Sequence, residues 1–256
     1  ITICILNHIK RIYLVIMLPT NIGSITLTNV LYNASGVHCT LKSELEELSH
    51  SSVGAVVSKS CTLSYRKGNA HPRYYENSLC SINSTGLANQ GYDYYGNIHL
   101  GKPYFVSVCV LSLENNLKIV DHINQCSNVD GIELNLSCPN IIGKSLVGYD
   151  MDATDTMLRK VSELGIQKCF GLKLPPYFDH AHFQAMAEII HPYKIDFLTC
   201  VNSLGNGLVI DPLTDRPAIK PKGGFGGVGG SVIKSVALAN VRKWSELMSC
   251  DIVGCG

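Results

Sequence analysis

Short apolar runs alternate along the chain with longer stretches in which apolar residues recur every three or four positions. The runs predict β-strands, and the longer stretches predict amphipathic helices. The predicted strands cover residues 30–33, 54–59, 104–110, 131–137, 170–174, 196–201 and 251–255. The predicted helices cover residues 41–51, 113–126, 153–164, 180–190 and 231–248, with Ser112 as the N-cap of the second. Alternation of this kind is typical of βα units around a parallel sheet.

Parallel strands joined by helical crossovers close most readily into an eight-stranded barrel. We therefore predict an α/β fold, a (β/α)8 or TIM barrel, with the eighth strand and the terminal helix absent from this chain. The barrel domain is expected to span residues 17–256. Residues 1–16 are expected to be a non-native or disordered extension. Their apolar residues are interrupted by His8, Lys10 and Arg11, so they fall short of a membrane-spanning helix.

Composition narrows the class of function. Of the 256 residues, 46% are hydrophobic and 16% are charged, which is the balance of a globular protein with a large core. The formal net charge is +1 and no cluster of Lys or Arg stands out, so neither nucleic acid nor a membrane is an expected partner. The 11 cysteines are scattered without a C-x-x-C pair, which predicts free thiols in a reducing, cytoplasmic compartment.

Two connections between predicted elements, at 61–102 and 202–230, are too long for plain βα turns. Long loops in a compact domain usually carry function. The second contains the glycine-rich segment KPKGGFGGVGG, at 220–230. This segment leads directly into another helix and strand and does not separate two domains, so we predict a loop that contacts a ligand rather than a flexible linker.

Lysines close two of the predicted strands, Lys59 in GAVVSK and Lys173 in FGLK. A lysine in a buried strand is costly unless it meets an anion or an electron-rich ring. A cation near the pyrimidine edge of a flavin would stabilise the anionic reduced ring. The alternative is that each side chain extends to solvent from the strand end. Two such lysines at one end of a barrel favour the ligand site.

Four asparagines lie in or beside predicted strand ends, namely Asn83, Asn135, Asn140 and Asn202. An amide offers both donors and acceptors, which match the alternating N–H and C=O edge of a pyrimidine-dione. Taken singly, each asparagine has an alternative role in a turn or a helix cap. Because the carboxyl ends of barrel strands converge, the set indicates a planar, amide-rich substrate.

Cys138 stands in the segment NLSCPN, where Pro139 stops the strand from continuing. A thiol on a loop at this position could act as a base if its pKa falls from about 8.5 toward neutrality. The alternative is a buried structural thiol, the role expected for most of the other cysteines. No residue at metal-ligand spacing accompanies Cys138, so no metal site is predicted.

Seven segments, in this order and at this spacing, resemble the class 1A dihydroorotate dehydrogenases. They are NASG (33–36), VSKSCT (57–62), SINSTGLANQG (81–91), ELNLSCPN (133–140), LKLPPYFD (172–179), CVNSLGNGLVID (200–211) and IKPKGGFGGVGG (219–230). The resemblance extends from about residue 20 to residue 256. It implies a cytoplasmic homodimer that oxidises dihydroorotate to orotate with FMN and passes the electrons to fumarate, in the synthesis of UMP.

The resemblance also assigns roles to individual residues. Cys138 would take the C5 proton of dihydroorotate while a hydride passes from C6 to N5 of FMN, and Lys59 would contact both flavin and substrate. The implied substrate contacts are Lys59, Asn83, Gly86, Leu87, Asn135, Asn140, Asn202 and Ser203. The implied FMN contacts are Ala34, Ser35, Gly36, Lys59, Ser60, Asn135, Lys173, Val201, Gly229, Gly230, Cys255 and Gly256.

Alternatives of two kinds stay open at this point, another class of dehydrogenase and a non-catalytic fragment. The heteromeric class of the family also uses a cysteine but passes electrons to NAD through an iron–sulfur partner subunit, and the wider alternative is an NAD- or other acceptor-linked dihydroorotate or dihydropyrimidine dehydrogenase. The membrane class uses a serine base, so Cys138 argues against it. A hypothesis of another kind is that the chain is a non-catalytic truncated fragment, although each motif residue with a chemical role is present.

Overall fold

A computed structural model describes residues 2–5, 12–15, 17–109, 111–137 and 146–256, the first two ranges as backbone only. A parallel sheet lies at its centre. The strands of this sheet are β1 (Val56–Val57), β2 (Tyr104–Cys109), β3 (Gly131–Asn135), β4 (Cys169–Leu174), β5 (Phe197–Cys200) and β6 (Asp251–Gly254). Each strand pairs in parallel with the next one along the chain. The α/β class and six of the predicted strands are confirmed.

The predicted strand at 30–33 is reduced to a single bridge. Tyr32 pairs in parallel with Ala55, and the backbone N–H of Gly54 donates to the carbonyl of Leu31 over 2.8 Å. One residue further on, the side chain of Asn33 takes the place of a backbone peptide group beside β1. The run therefore lies at the edge of the sheet next to β1.

The helices lie close to their predicted bounds. They are α1 (Lys42–His50), α2 (Tyr92–Gly96), α3 (Leu113–Gln125), α4 (Met151–Ser162), α5 (His180–Ile190) and α6 (Lys234–Leu247). Ser112 caps α3 as predicted, since its side chain accepts a hydrogen bond from Asn115 N. The short helix α2 was not predicted, and the predicted helix 231–248 is divided into a 3₁₀ turn, Ser231–Ile233, and α6. No helix in the described part of the chain is long and apolar enough to cross a bilayer.

Alternate residues of β2 enter two separate cores. In β2, Val106 and Val108 face the helices and belong to the larger hydrophobic cluster, whereas Phe105 belongs to a smaller cluster on the opposite face. Phe197 of β5 shares this smaller cluster, and its ring centroid lies 5.7 Å from that of Phe105. Two strands separate β2 from β5, a distance of about 14 Å in a flat sheet. The sheet is therefore curled, with the smaller cluster inside the curl.

A hairpin that the sequence did not predict covers the amino-terminal end of this curl. Its strands are Thr20–Ile22 and Ile25–Leu27. Ile22 and Leu27 belong to the inner cluster, and Gly23 N donates to the Asp251 carboxylate at the start of β6 over 2.8 Å. The hairpin leaves the carboxyl ends of the strands as the end at which ligands can enter.

The two long connections pair with each other, which corrects the prediction that they are loops. They supply a four-stranded antiparallel sheet in the order Leu204–Leu208, Phe225–Gly229, Ser81–Asn83 and Tyr74–Glu76. The glycine-rich segment is thus a turn at Pro221–Gly224 followed by a central strand. Short hairpins also form between Thr2–Ile5 and Ile12–Val15 and between Ile210–Asp211 and Arg216–Pro217.

Candidate active site

The predicted site residues from four strands meet at the carboxyl edge of the parallel sheet. Asn135 ends β3, and its register partner in β4 is Lys173. Val201 follows β5, and its backbone N–H donates to the carbonyl of Cys255, which follows β6, over 2.7 Å. The backbone N–H of Asn202 donates to the carbonyl of Leu174 at the end of β4 over 2.9 Å. Parallel pairing therefore brings together residues that lie more than 100 positions apart in the sequence.

A continuous chain of hydrogen bonds leads from this edge into the curl. Asn202 Nδ2 donates to Asn135 Oδ1 over 3.1 Å, and Asn135 Nδ2 donates to Ser60 Oγ over 3.0 Å. The hydroxyl oxygens of Ser60 and Ser107 are 2.9 Å apart, and Ser107 Oγ donates to Glu133 Oε1 over 2.9 Å. Asn135, Ser60, Ser107 and Glu133 are all buried. Two of the four amide groups predicted to hold the substrate, those of Asn135 and Asn202, are therefore part of one ordered polar network.

Lys173 joins the same network from the other side. Its side chain is only 5% exposed, so it does not extend to solvent. The ammonium donates to Ser35 Oγ over 3.2 Å, and Ser35 Oγ donates to Glu133 Oε1 over 2.8 Å. Burial acts to lower the pKa of Lys173, but Cys255, Glu133 and Cys39 raise it further than burial lowers it, so the pKa lies above its ordinary value. Lys173 is therefore a buried cation at neutral pH.

Glu133 is a buried charged residue of this network that the sequence motifs did not indicate. It lies two positions before Asn135 in β3, so both side chains point to the same face of the strand. A carboxylate inside the short run GIELN gave the same indication as Lys173, namely a charged side chain in a strand that is buried on both faces. Thr199 of β5 also donates to it, from Oγ1 to Oε2 over 2.9 Å. Strand periodicity could have identified Glu133 before the structure did.

Asn83 and Ser203 form a second group beside the network. Asn83 ends a strand of the antiparallel sheet, and its Nδ2 donates to the carbonyl of Gly227 over 3.4 Å. A Cβ atom on Gly227 would lie 2.2 Å from Ser203 Oγ, so this position requires glycine. Ser203 N donates in turn to Asn202 Oδ1 over 2.8 Å. The antiparallel sheet thus brings Asn83 next to the Asn202 end of the network.

Other predicted contacts follow the strand ends. Lys59 is half-buried after β1, with its backbone N–H donating to the carbonyl of Cys39 over 2.8 Å. Ala34 and Gly36 enclose Ser35 in a tight turn in which Gly36 N donates to Ala34 O over 2.7 Å. Gly256 follows Cys255 at the end of β6.

Four predicted contacts belong to the antiparallel sheet and its turns. Gly86 and Leu87 both have positive φ angles, 68° and 58°, in the turn after Ser81–Asn83. Gly229 pairs with Ser81, and Gly230 follows it with a φ of 92°. Within the described part of the chain, none of these four forms a hydrogen bond with the Lys173–Glu133 network, and Cys138 and Asn140 lie outside the described residues. 

The chemistry of this edge is that of a site for a planar, polar, anionic group. It combines a buried ammonium, a buried carboxylate and amide side chains with both donors and acceptors. The described part of the chain contains no group of three His, Cys, Asp or Glu residues that could hold a metal ion. A cavity of about 230 Å³ lined by Leu158, Phe170 and Tyr193 lies instead at the amino-terminal end of β4 and β5, away from these groups.

Comparison with known proteins agrees with the class of site. A family model described as dihydroorotate dehydrogenase matches residues 17–256. The dihydroorotate dehydrogenase (fumarate) of Lachancea kluyveri is 46% identical over 250 residues, which cover 93% of this chain and 79% of that protein. The dihydroorotate dehydrogenase A (fumarate) of Lactococcus lactis subsp. cremoris is 45% identical over 245 residues, which cover 92% of this chain and 78% of that protein. The chain therefore belongs to the dihydroorotate dehydrogenase family, and the predicted resemblance to class 1A is confirmed.

Proposed function

We propose that this chain oxidises (S)-dihydroorotate to orotate with bound FMN and passes the electrons to fumarate, as a step in de novo synthesis of UMP. The observation that carries the proposal is the convergence of Lys173, Asn135 and Asn202 in one hydrogen-bonded network at the carboxyl edge of the sheet. Its support from comparison is the name dihydroorotate dehydrogenase (fumarate) that the relatives carry.

The residues present fit a flavin. An ammonium has three N–H donors, and among the described residues Lys173 uses one of them, on Ser35 Oγ. The remaining donors of this buried cation suit the electron-rich pyrimidine edge of the ring. When bound, FMN would supply the chemistry of hydride acceptance from C6 of dihydroorotate. The proposed FMN contacts beside Lys173 are Ala34, Ser35, Gly36, Lys59, Ser60, Asn135, Val201, Gly229, Gly230, Cys255 and Gly256.

The substrate is proposed to lie against the amide groups. Asn202 retains one N–H of its Nδ2 beyond the bond to Asn135, and Ser203 and Asn83 stand next to it across Gly227. These groups match the N–H and C=O edge of dihydroorotate. Gly86, Leu87 and Asn140 are proposed as further contacts, Lys59 as a contact to both ligands, and Cys138 as the base that takes the C5 proton.

Electron acceptors provide the decisive test. The purified protein is loaded with FMN and supplied with dihydroorotate, and orotate formation is followed by absorbance with fumarate, NAD or a quinone as acceptor. We expect fumarate to support the fastest turnover. Faster turnover with NAD in the absence of any second subunit would favour the NAD-linked alternative, and no orotate with any acceptor would overturn the proposal.

We further propose that residues 17–256 belong to a (β/α)8 barrel domain and that the enzyme is a cytoplasmic homodimer. Support for the dimer comes from exposed apolar side chains on the part of the chain that carries the antiparallel sheet, among them Leu208, Ile210, Leu213 and Phe225. Light scattering coupled to size-exclusion chromatography tests this directly. A mass of one chain at micromolar concentration would rule the dimer out.

A further inference from the structure

We propose that Glu133 is a positioning residue that holds the Lys173 ammonium and the Asn135 amide in the orientations that bind cofactor and substrate. This inference rests on the proposed function, because it takes Lys173 as an FMN contact and Asn135 as a contact to both ligands. It goes beyond that function by assigning a role to a carboxylate that touches neither ligand.

Three hydroxyl groups contact the carboxylate of Glu133. Ser35 and Ser107 contact Oε1 at 2.8 Å and 2.9 Å, and Thr199 contacts Oε2 at 2.9 Å. A carboxylate accepts hydrogen bonds and donates none. Each hydroxyl has a single proton, so all three protons point at Glu133. The carboxylate, which is 3% exposed, therefore decides the direction of every hydroxyl that surrounds it.

One branch of the network leads from Glu133 through Ser107 and Ser60 to the Asn135 amide. In the pair formed by Ser60 and Ser107, either oxygen could be the donor by distance alone. Because the proton of Ser107 is used on Glu133, Ser60 must donate to Ser107. Ser60 then has only lone pairs for Asn135, and it accepts from Asn135 Nδ2 over 3.0 Å. The NH₂ group of Asn135 thus faces Ser60 because Glu133, three hydrogen bonds away, accepts the proton of Ser107.

The opposite side of the same amide is fixed by the backbone. Ser137 N donates to Asn135 Oδ1 over 3.0 Å, and a backbone N–H can only donate. If Glu133 presented a donor to Ser107, the two serine hydroxyls could reverse and Ser60 would point its proton at Asn135 Nδ2. Two donors would then face each other in a buried site, which is costly. Because Glu133 accepts the proton of Ser107, the Asn135 amide can donate to Ser60 and accept from Ser137 N at the same time.

The other branch leads from Glu133 through Ser35 to Lys173, the proposed cofactor contact. Ser35 donates to Glu133 and therefore presents a lone pair to Lys173 Nζ, which lies 3.2 Å away. Glu133 also supplies a negative charge that keeps this buried ammonium charged. Both branches end on one atom, Oε1. A single change at Glu133 is therefore expected to disturb both ligands, whereas a change at Ser35 or Ser107 disturbs one branch each.

The test measures the two ligands separately in FMN-loaded and apo protein. Glu133→Gln keeps the size of the side chain but offers a donor in place of one acceptor oxygen. We expect the Kd for FMN, from quenching of free flavin fluorescence, and the Kd for orotate, from the spectral change of bound flavin, each to rise about tenfold or more, the usual range for losing a hydrogen bond to a charged group. Thr199→Val is the matched control. It removes the hydroxyl on Oε2, which lies on neither branch, and both Kd values are expected to rise less than about threefold.

Two further variants separate positioning from simple destabilisation. Ser35→Ala is expected to weaken FMN more than it weakens orotate, because Ser35 lies on the Lys173 branch. Ser107→Ala acts through Ser60 on Asn135, a proposed contact to both ligands, and is expected to weaken both. A loss of structure would weaken both ligands in every variant in proportion to the fall in Tm of the apo protein. These two variants also serve if Glu133→Gln does not fold.

The outcomes are distinguishable from a failure of the proposed function. If the unmodified protein binds neither FMN nor orotate, the proposed function is overturned, and the role of Glu133 falls with it. If the unmodified protein binds both and Glu133→Gln binds them equally well, or if Ser35→Ala weakens orotate as much as it weakens FMN, the role of Glu133 alone is overturned.

Discussion

The side-chain amide of Asn33 pairs with the backbone of Val57 in both directions, as a neighbouring strand would. Val57 N donates to Asn33 Oδ1 over 2.9 Å, and Asn33 Nδ2 donates to Val57 O over 2.8 Å. Val57 is buried. One asparagine thereby continues the edge of the sheet where the backbone of the 30–33 run turns away toward Ser35.

Asn33→Ala is expected to lower the free energy of unfolding by about 2 kcal/mol or more, because two buried backbone groups lose their partners. Urea unfolding followed by circular dichroism measures this. The control is Asn77→Ala. Asn77 also accepts two backbone hydrogen bonds, from Leu79 N and Cys80 N, but in an exposed turn where water can replace it. Equal losses in the two variants would contradict the strand-like role of Asn33.

Gly171 is expected to be essential for packing inside the curl. A Cβ atom there would lie 2.5 Å from the ring of Phe197. Gly171→Ala should therefore lower the free energy of unfolding by about 1–3 kcal/mol, the usual cost of overpacking a core. The double variant with Phe197→Leu should be more stable than the sum of the two single losses predicts. Gly101→Ala, with nothing within 4 Å of the added atom, is the control for the substitution itself. Strict additivity in the double variant would show that the ring is not the obstacle.

Buried thiols are expected to make the fold sensitive to alkali. Burial raises the pKa of Cys61 to about 12, from the value near 9 that applies in the unfolded chain. Between these values the unfolded chain binds fewer protons than the folded one, so stability falls as pH rises. Cys61→Ala should reduce this slope by about 1.4 kcal/mol per pH unit between pH 9 and pH 12.

Denaturant unfolding in the presence of reductant at a series of pH values tests the effect of Cys61. Between pH 6 and pH 8 the thiol is protonated in both states, so the original chain and the variant should show the same slope there. A difference in slope that is already present at neutral pH would assign the effect to another group.

Cys138→Ser tests the proposed base. The variant should retain FMN and orotate while the rate of flavin reduction by dihydroorotate falls by about two powers of ten or more, the usual size of general-base catalysis. Its residual rate should rise with pH, because a serine hydroxyl has a higher pKa than a thiol. Anaerobic stopped-flow measurement across pH provides the data, with Cys126→Ser, at the end of α3, as the control. Near-normal reduction by Cys138→Ser at pH 7 would remove Cys138 from the proposed mechanism.

The order of strands and helices could be predicted because parallel strands are buried on both faces. A strand such as β4 therefore stands out as a short, continuous apolar run, and a helix such as α3 as a run with one apolar face. The same local rule identified Lys173 and Asn135, since a polar residue that ends such a run must face the end of the sheet. This rule did not identify the role of Asn33, because nothing local distinguishes an amide that replaces a strand from an amide in a turn.

The sequence by itself determined the α/β class, the parallel order of the strands, the family and the residues that close each strand. Tertiary structure decided the rest. Asn83 and Gly227 are 144 residues apart, and only the folded chain shows that their segments pair, because no local pattern encodes a partner at that distance. The central place of Glu133 was decided in the same way. Its position in β3 shows that it points inward, but the three hydroxyl groups that make it the common acceptor come from three other parts of the chain. Ser107 is its register partner in the neighbouring strand β2, whereas Ser35 and Thr199 come from beyond the neighbouring strands and meet it because the sheet curls.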